Sequence, residues 1–166
     1  MHDLIFVLGA PGAGKSTVGK LLENKLNSPY IRYDSLREIH LKQAWQNHND
    51  KERKMTYENL VFILKNYIKN DYKNIIVDGP REYNIAKLEN DFKNYRYLII
   101  TLVLTDDGVL KERVLSERSS NWKEVDKSIY TNNRLKTHYK WEHEIKIDTT
   151  NQTPEVTVNQ ILGYLK

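Results

Sequence analysis

Gly9, Ala10, Pro11, Gly12, Ala13, Gly14, Lys15 and Ser16 fill every fixed position of the pattern Gly-x-x-x-x-Gly-Lys-Ser/Thr, whose chemistry is the grip on phosphate. Glycines let backbone N–H groups close around an anion, the lysine adds positive charge, and the hydroxyl can hold a hard cation. The apolar run Leu4–Leu8 before this stretch and the helical spacing from Ser16 to Leu22 after it predict a strand feeding a helix through the loop. The expected ligand is ATP with Mg²⁺. Lys15 would bridge the β- and γ-phosphates, Ser16 would hold the cation, and Thr17 would complete the set of phosphate-binding residues. A second carboxylate-bearing element, Asn74-Ile75-Ile76-Val77-Asp78-Gly79, is an apolar strand ending in Asp78. Such an aspartate is either a turn or helix cap or, behind a phosphate loop, a partner of the Mg²⁺ shell.

The elements that must position these groups alternate along the chain. Strand-like runs recur at Leu4–Leu8, Tyr30–Tyr33, Ile75–Val77, Tyr97–Leu104 and Ile145–Ile147. Helical patterns span Lys15–Leu26, Ser35–Trp45, Met55–Ile68, Ile85–Phe92, Gly108–Ser116, Glu124–Trp141 and Pro154–Leu165, the last with Thr153 as N-cap and Pro154 in the first turn. The alternation predicts a parallel sheet covered by helices. The polar stretch Gln46–Lys54 reads as a loop. No repeat, linker or low-complexity segment interrupts the chain, so residues 1–166 are expected to form a single domain.

Lys and Arg number 26 against 22 Asp and Glu, a net charge of +4 spread along the chain. That balance suits anionic small molecules as well as nucleic acid, and no basic stripe or recognition-helix pattern favours the latter. With no cysteine, disulfides and thiolate chemistry are excluded. The first apolar run is too short for a leader or a membrane span, so the expectation is a cytoplasmic protein with no membrane partner. The five histidines show no metal-ligand spacing. Most of the eleven tyrosines and three tryptophans read as core or boundary residues.

Two further motifs resemble the adenylate-kinase-like nucleoside monophosphate kinases. Asp34-Ser35-Leu36-Arg37 is similar to their Asp-x-Leu-Arg, and Asp78-Gly79-Pro80-Arg81 to their Asp-Gly-Phe-Pro-Arg with one residue missing. Asn133-Arg134-Leu135-Lys136-Thr137-His138-Tyr139 looks like the segment that follows their lid. The resemblance implies a three-layer α/β P-loop fold with a five-stranded parallel sheet in the order 2-3-1-4-5. It also implies an acceptor-binding helical region at about residues 34–73 and a short lid at about 118–134. Arg37 and Arg81 would clamp the acceptor phosphate, with Asp34, Tyr33 and Tyr83 completing the acceptor pocket. Lys15, Arg118 and Arg134 would neutralise the transferring phosphoryl group. Surface pairing of Arg37 with Glu38 and of Arg81 with Glu82 is the structural alternative for the clamp, and an Arg113–Glu117 pair is the simpler expectation for Arg113.

The chain departs from that family at three places. The Arg-x-Asp-Asp lid signature is replaced by Lys123-Glu124-Val125-Asp126, the glycine before the Asp-x-Leu-Arg aspartate is Tyr33, and the adenine-reading glutamine is Ile85 beside Asn84. Two acceptor classes therefore stay open. One is the phosphate of a nucleotide. The other is a hydroxyl, as in the related shikimate, gluconate, antibiotic or polynucleotide kinases, with Asp34 at the end of the second strand as general base. A guanine-nucleotide switch is a poorer fit, because no Asn-Lys-x-Asp element occurs.

Overall fold

A computed structural model of the protein describes residues 1–41, 49–116, 123–138 and 140–165. Its elements run β1 (Leu4–Gly9), α1 (Lys15–Leu26), β2 (Tyr30–Arg32), α2 (Tyr33–Leu41), α3 (Asp50–Lys69), β3 (Ile75–Asp78), a 3₁₀ turn (Glu82–Asn84), α4 (Ile85–Asp91), β4 (Tyr97–Val103), α5 (Asp107–Leu115), α6 (Val125–Thr137), β5 (Glu144–Asp148) and α7 (Pro154–Tyr164). The five strands form one sheet in the order β2-β3-β1-β4-β5, every pair parallel, with the phosphate-loop strand at its centre.

Both faces of this sheet are buried, and strand alternation sorts the side chains between them. From β1, Ile5 and Val7 join Leu98, Ile100 and Leu102 of β4 on the face covered by Val18 and Leu22 of α1, Leu110 and Val114 of α5, and Val158 and Ile161 of α7. Leu4, Phe6 and Leu8 join Tyr97 and Ile99 on the opposite face, beneath Leu36 of α2, Leu60 and Leu64 of α3, and Ile85 and Leu88 of α4. Helix, sheet, helix is thus the three-layer arrangement expected for alternating strands and helices.

Several expected boundaries shift, two of them for a clear local reason. Helix α3 begins at Asp50, inside the polar run read as a loop, because Asn49 caps it by accepting from Glu52 N at 3.0 Å, with Asp50 and Glu52 in the first turn facing the positive helix end. Residues 46–48 of that run lie outside the described ones. Helix α6 stops at Thr137, where His138 turns to extended backbone. Among the described residues, no helix is long and apolar enough to cross a membrane.

Candidate active site

The phosphate loop joins the carboxyl end of β1 to α1. Gly12 takes a positive φ of 88°, and a Cβ there would meet Val114 Cγ2 at 2.8 Å and Leu110 Cδ1 at 3.0 Å, so only glycine fits between the loop and α5. Gly14, with φ of 94°, is the N-cap of α1 and supplies no capping side chain. The leading amides and the positive end of the helix dipole are thereby left for an anion. Lys15 Nζ donates to Ala10 O at 3.0 Å, which folds the ammonium back over the loop. Burial pulls its pKa below the usual lysine value, and the nearby Asp78 carboxylate opposes that shift. A triphosphate would supply the missing countercharge.

Strand register brings Asp78 to this loop. It pairs with Val7 of β1 on one side and Arg32 of β2 on the other, and it is buried. Its Oδ2 accepts from Ser16 Oγ at 2.7 Å and from Tyr30 OH at 2.8 Å. Burial, then the Asp78 charge, pushes the Tyr30 phenol well above its ordinary pKa. Because Ser16 spends its proton on Asp78, its oxygen lone pairs remain for a cation. A hydroxyl and a carboxylate are hard oxygen donors, so this pair fits Mg²⁺ held chiefly by phosphate oxygens. Ser16 and Asp78 are the residues that would hold it, directly and through water.

The acceptor candidates converge one strand away. β2 ends at Arg32, so Asp34 lies in the first turn of α2 and not at the strand end. Arg81 Nη2 donates to Asp34 Oδ1 at 2.7 Å, and Arg37 Nη1 reaches the same oxygen at 3.5 Å. Arg81 thus pairs with Asp34, while Glu82 accepts from Arg134 at 2.9 Å. Asp34 and Arg81 both perturb Lys15, which ties this cluster to the phosphate loop. Gly79, between Asp78 and Arg81, has φ of 72°, and a Cβ there would stand 3.7 Å from Lys15 Cε.

The two tyrosines expected in the pocket part company. Tyr83 is 54% exposed beside Arg81, whereas Tyr33 is 1% exposed, its hydroxyl accepting from Asn84 at 2.9 Å. Burial raises the Tyr33 phenol to about 12. Tyr33 is the first residue of α2, and its ring lies in the hydrophobic core between α2 and the sheet instead of at an exposed acceptor surface.

Of the lid candidates, Arg118 lies outside the described residues, as do Glu117 and Tyr139. Arg134 is an exposed residue of α6, with its guanidinium 5.9 Å from the Tyr130 ring centre. Arg113 is structural: it donates to the carbonyl of Thr149 at 2.7 Å and of Thr150 at 3.1 Å, holding the loop after β5. Spacing along the chain had no means of revealing Tyr30, Asn84 or that loop, since each partner is more than thirty residues away.

Comparison with known proteins agrees with this geometry. A family model described as an AAA domain matches residues 5–140. The shikimate kinase of Enterococcus faecalis is 30% identical over 174 residues, covering 99% of both chains. The adenylate kinase of Rickettsia bellii is 31% identical over 125 residues, which is 70% of this chain and 58% of that relative. A sugar kinase from Janibacter shares the fold with a TM-score of 0.72 at 17% identity, over 99% of this chain and 95% of that one. With the phosphate loop, the parallel sheet and these relatives in agreement, the chain belongs to the AAA domain family and to the small adenylate-kinase-like P-loop kinases, which are phosphotransferases.

Proposed function

We propose that the protein transfers the γ-phosphoryl group of ATP to a phosphate oxygen of a nucleoside monophosphate. The observation that carries this reading is the convergence of Arg37 and Arg81 on one carboxylate oxygen within the electrostatic reach of Lys15. Two guanidiniums aimed at one anionic oxygen are suited to a second anion arriving there. An accepting phosphate is already charged, so its oxygen can attack the γ-phosphorus directly while the bond to the β-phosphate breaks and ADP leaves. No general base is required.

The protein's own contributions are positional and electrostatic. The loop amides and Lys15 hold the triphosphate, Arg37 and Arg81 fix the acceptor, and Asp78 orients what surrounds Ser16. Mg²⁺, when bound, offsets charge on the β- and γ-phosphate oxygens. Arg134, together with Arg118, would shield the reacting group from water.

A hydroxyl acceptor is the second reading, and one observation favours it. Both guanidiniums meet Asp34 Oδ1, so Oδ2 of a side chain that is 36% exposed remains to take a hydroxyl proton. The discriminating experiment is a coupled ADP-release assay with Mg-ATP against nucleoside monophosphates, nucleosides, sugars and hydroxy acids. Stimulation by monophosphates alone supports the proposal. Stimulation only by acceptors that lack phosphate refutes it.

A further inference from the structure

Tyr30 carries no role in the phosphate-loop motif or in either acceptor motif, yet its hydroxyl lies 2.8 Å from Asp78 Oδ2. Tyr30 pairs with Ile76 in the β2–β3 register, and Ile76 shares a sheet face with Asp78 two residues on. The ring therefore passes under α1 on its way to the carboxylate. Gly19 of α1 makes the space: a Cβ there would stand 2.6 Å from Tyr30 Cε2 and 3.1 Å from Cζ. Any other residue at position 19 would push the phenol away.

Ser16 and Tyr30 together satisfy both lone pairs of Oδ2. Two donors on one oxygen stop the carboxylate from turning about its terminal torsion, which is otherwise broad. Oδ1 is then held in one direction, and no hydrogen bond to it is formed among the described residues. We propose that Tyr30 is a positioning residue for the divalent cation, fixing the Asp78 carboxylate so that Oδ1 addresses cation-bound water, with Gly19 as the seat of its ring. The proposal rests on the donor half of the reading above, a nucleotide and cation at the phosphate loop, and is indifferent to the acceptor.

The test needs neither acceptor nor turnover. Tyr30→Phe keeps the ring and removes the hydroxyl. Mn²⁺ binding, followed by electron paramagnetic resonance in the presence of a non-hydrolysable ATP analogue, is expected to weaken about tenfold, as for loss of other partners behind a metal ligand. Affinity for the analogue in EDTA should stay within about twofold of wild type on the same grounds. Gly19→Ala, which displaces the ring but retains its hydroxyl, should show the same split and serves if Tyr30→Phe does not fold. Unchanged Mn²⁺ binding in a folded variant, whatever its melting temperature, overturns the proposal and leaves Tyr30 a purely structural partner of Asp78. Equal losses of Mn²⁺ and of metal-free analogue also overturn it, because they mean a distorted loop.

Discussion

Lys15 is held by opposing forces: burial disfavours its charge, while Asp78 and the carbonyl of Ala10 favour it. A side chain maintained at that cost is matched to a polyanion and not to packing. Lys15→Ala is therefore expected to lower kcat by roughly 10²–10³-fold, as for loss of a preorganised charge on a reacting oxyanion, with the melting temperature within about 2 °C of wild type. Circular dichroism and ADP-release kinetics on the same preparation check both halves, and near-full activity would refute the assigned role. Residues of the phosphate loop were readable from spacing because Gly9, Gly14, Lys15 and Ser16 fall at fixed positions within eight consecutive residues. Tyr33 was not, because one sequence position does not say whether an aromatic ring faces a pocket or the core. Its partner Asn84 lies 51 residues away, and only the fold brings the two together.

Among the elements, α3 illustrates how packing and capping act together. Its amphipathic pattern from Met55 onward was legible, whereas its first turn was hidden in a charged run that only the Asn49 cap turns into helix. Leu64, fully buried against Phe6 and Leu60 in one core cluster, is expected to cost about 2–5 kcal/mol when changed to alanine, read by urea denaturation. A loss below about 1 kcal/mol would mean that α3 is not docked as described. The loop between β5 and α7 provides a pH-dependent prediction. Burial pushes the Asp148 carboxyl up, but hydrogen bonds from Thr150 and Thr105 outweigh it and hold the pKa below the usual value. A depressed carboxyl contributes stability above its unfolded pKa of about 4, and that contribution is lost as pH falls through the folded value. Thr150→Val should thus destabilise at pH 7, and the gap from wild type should narrow as pH drops below about 4. A gap independent of pH would show that Asp148 is not the group involved.

At the scale of the whole molecule, strand order is what makes a site out of distant segments. Alternating strand and helix patterns implied the parallel sheet, and the order 2-3-1-4-5 followed from the resemblance to P-loop kinases and is the order observed. With β3 between β1 and β2, Asp78 meets Ser16, and Arg81 meets Asp34, across 62 and 47 residues of sequence. The sequence left the acceptor open because Tyr33, Ile85 and Lys123-Glu124-Val125-Asp126 depart from the kinase pattern, and in the fold Asp34 and Arg81, the two residues that would lead the alternative chemistries, are bonded to each other. Kinetics on Arg81→Ala and Asp34→Asn, measured side by side with the acceptor found by screening, separate them. For a phosphate acceptor, Arg81→Ala removes a charge-assisted contact worth roughly 1.5–3 kcal/mol, so the acceptor KM should rise at least about tenfold while the KM for ATP barely changes. An Arg81→Ala variant of near wild-type KM, beside an Asp34→Asn variant whose kcat falls by roughly 10²–10⁴-fold, would contradict the account and assign the protein a hydroxyl acceptor.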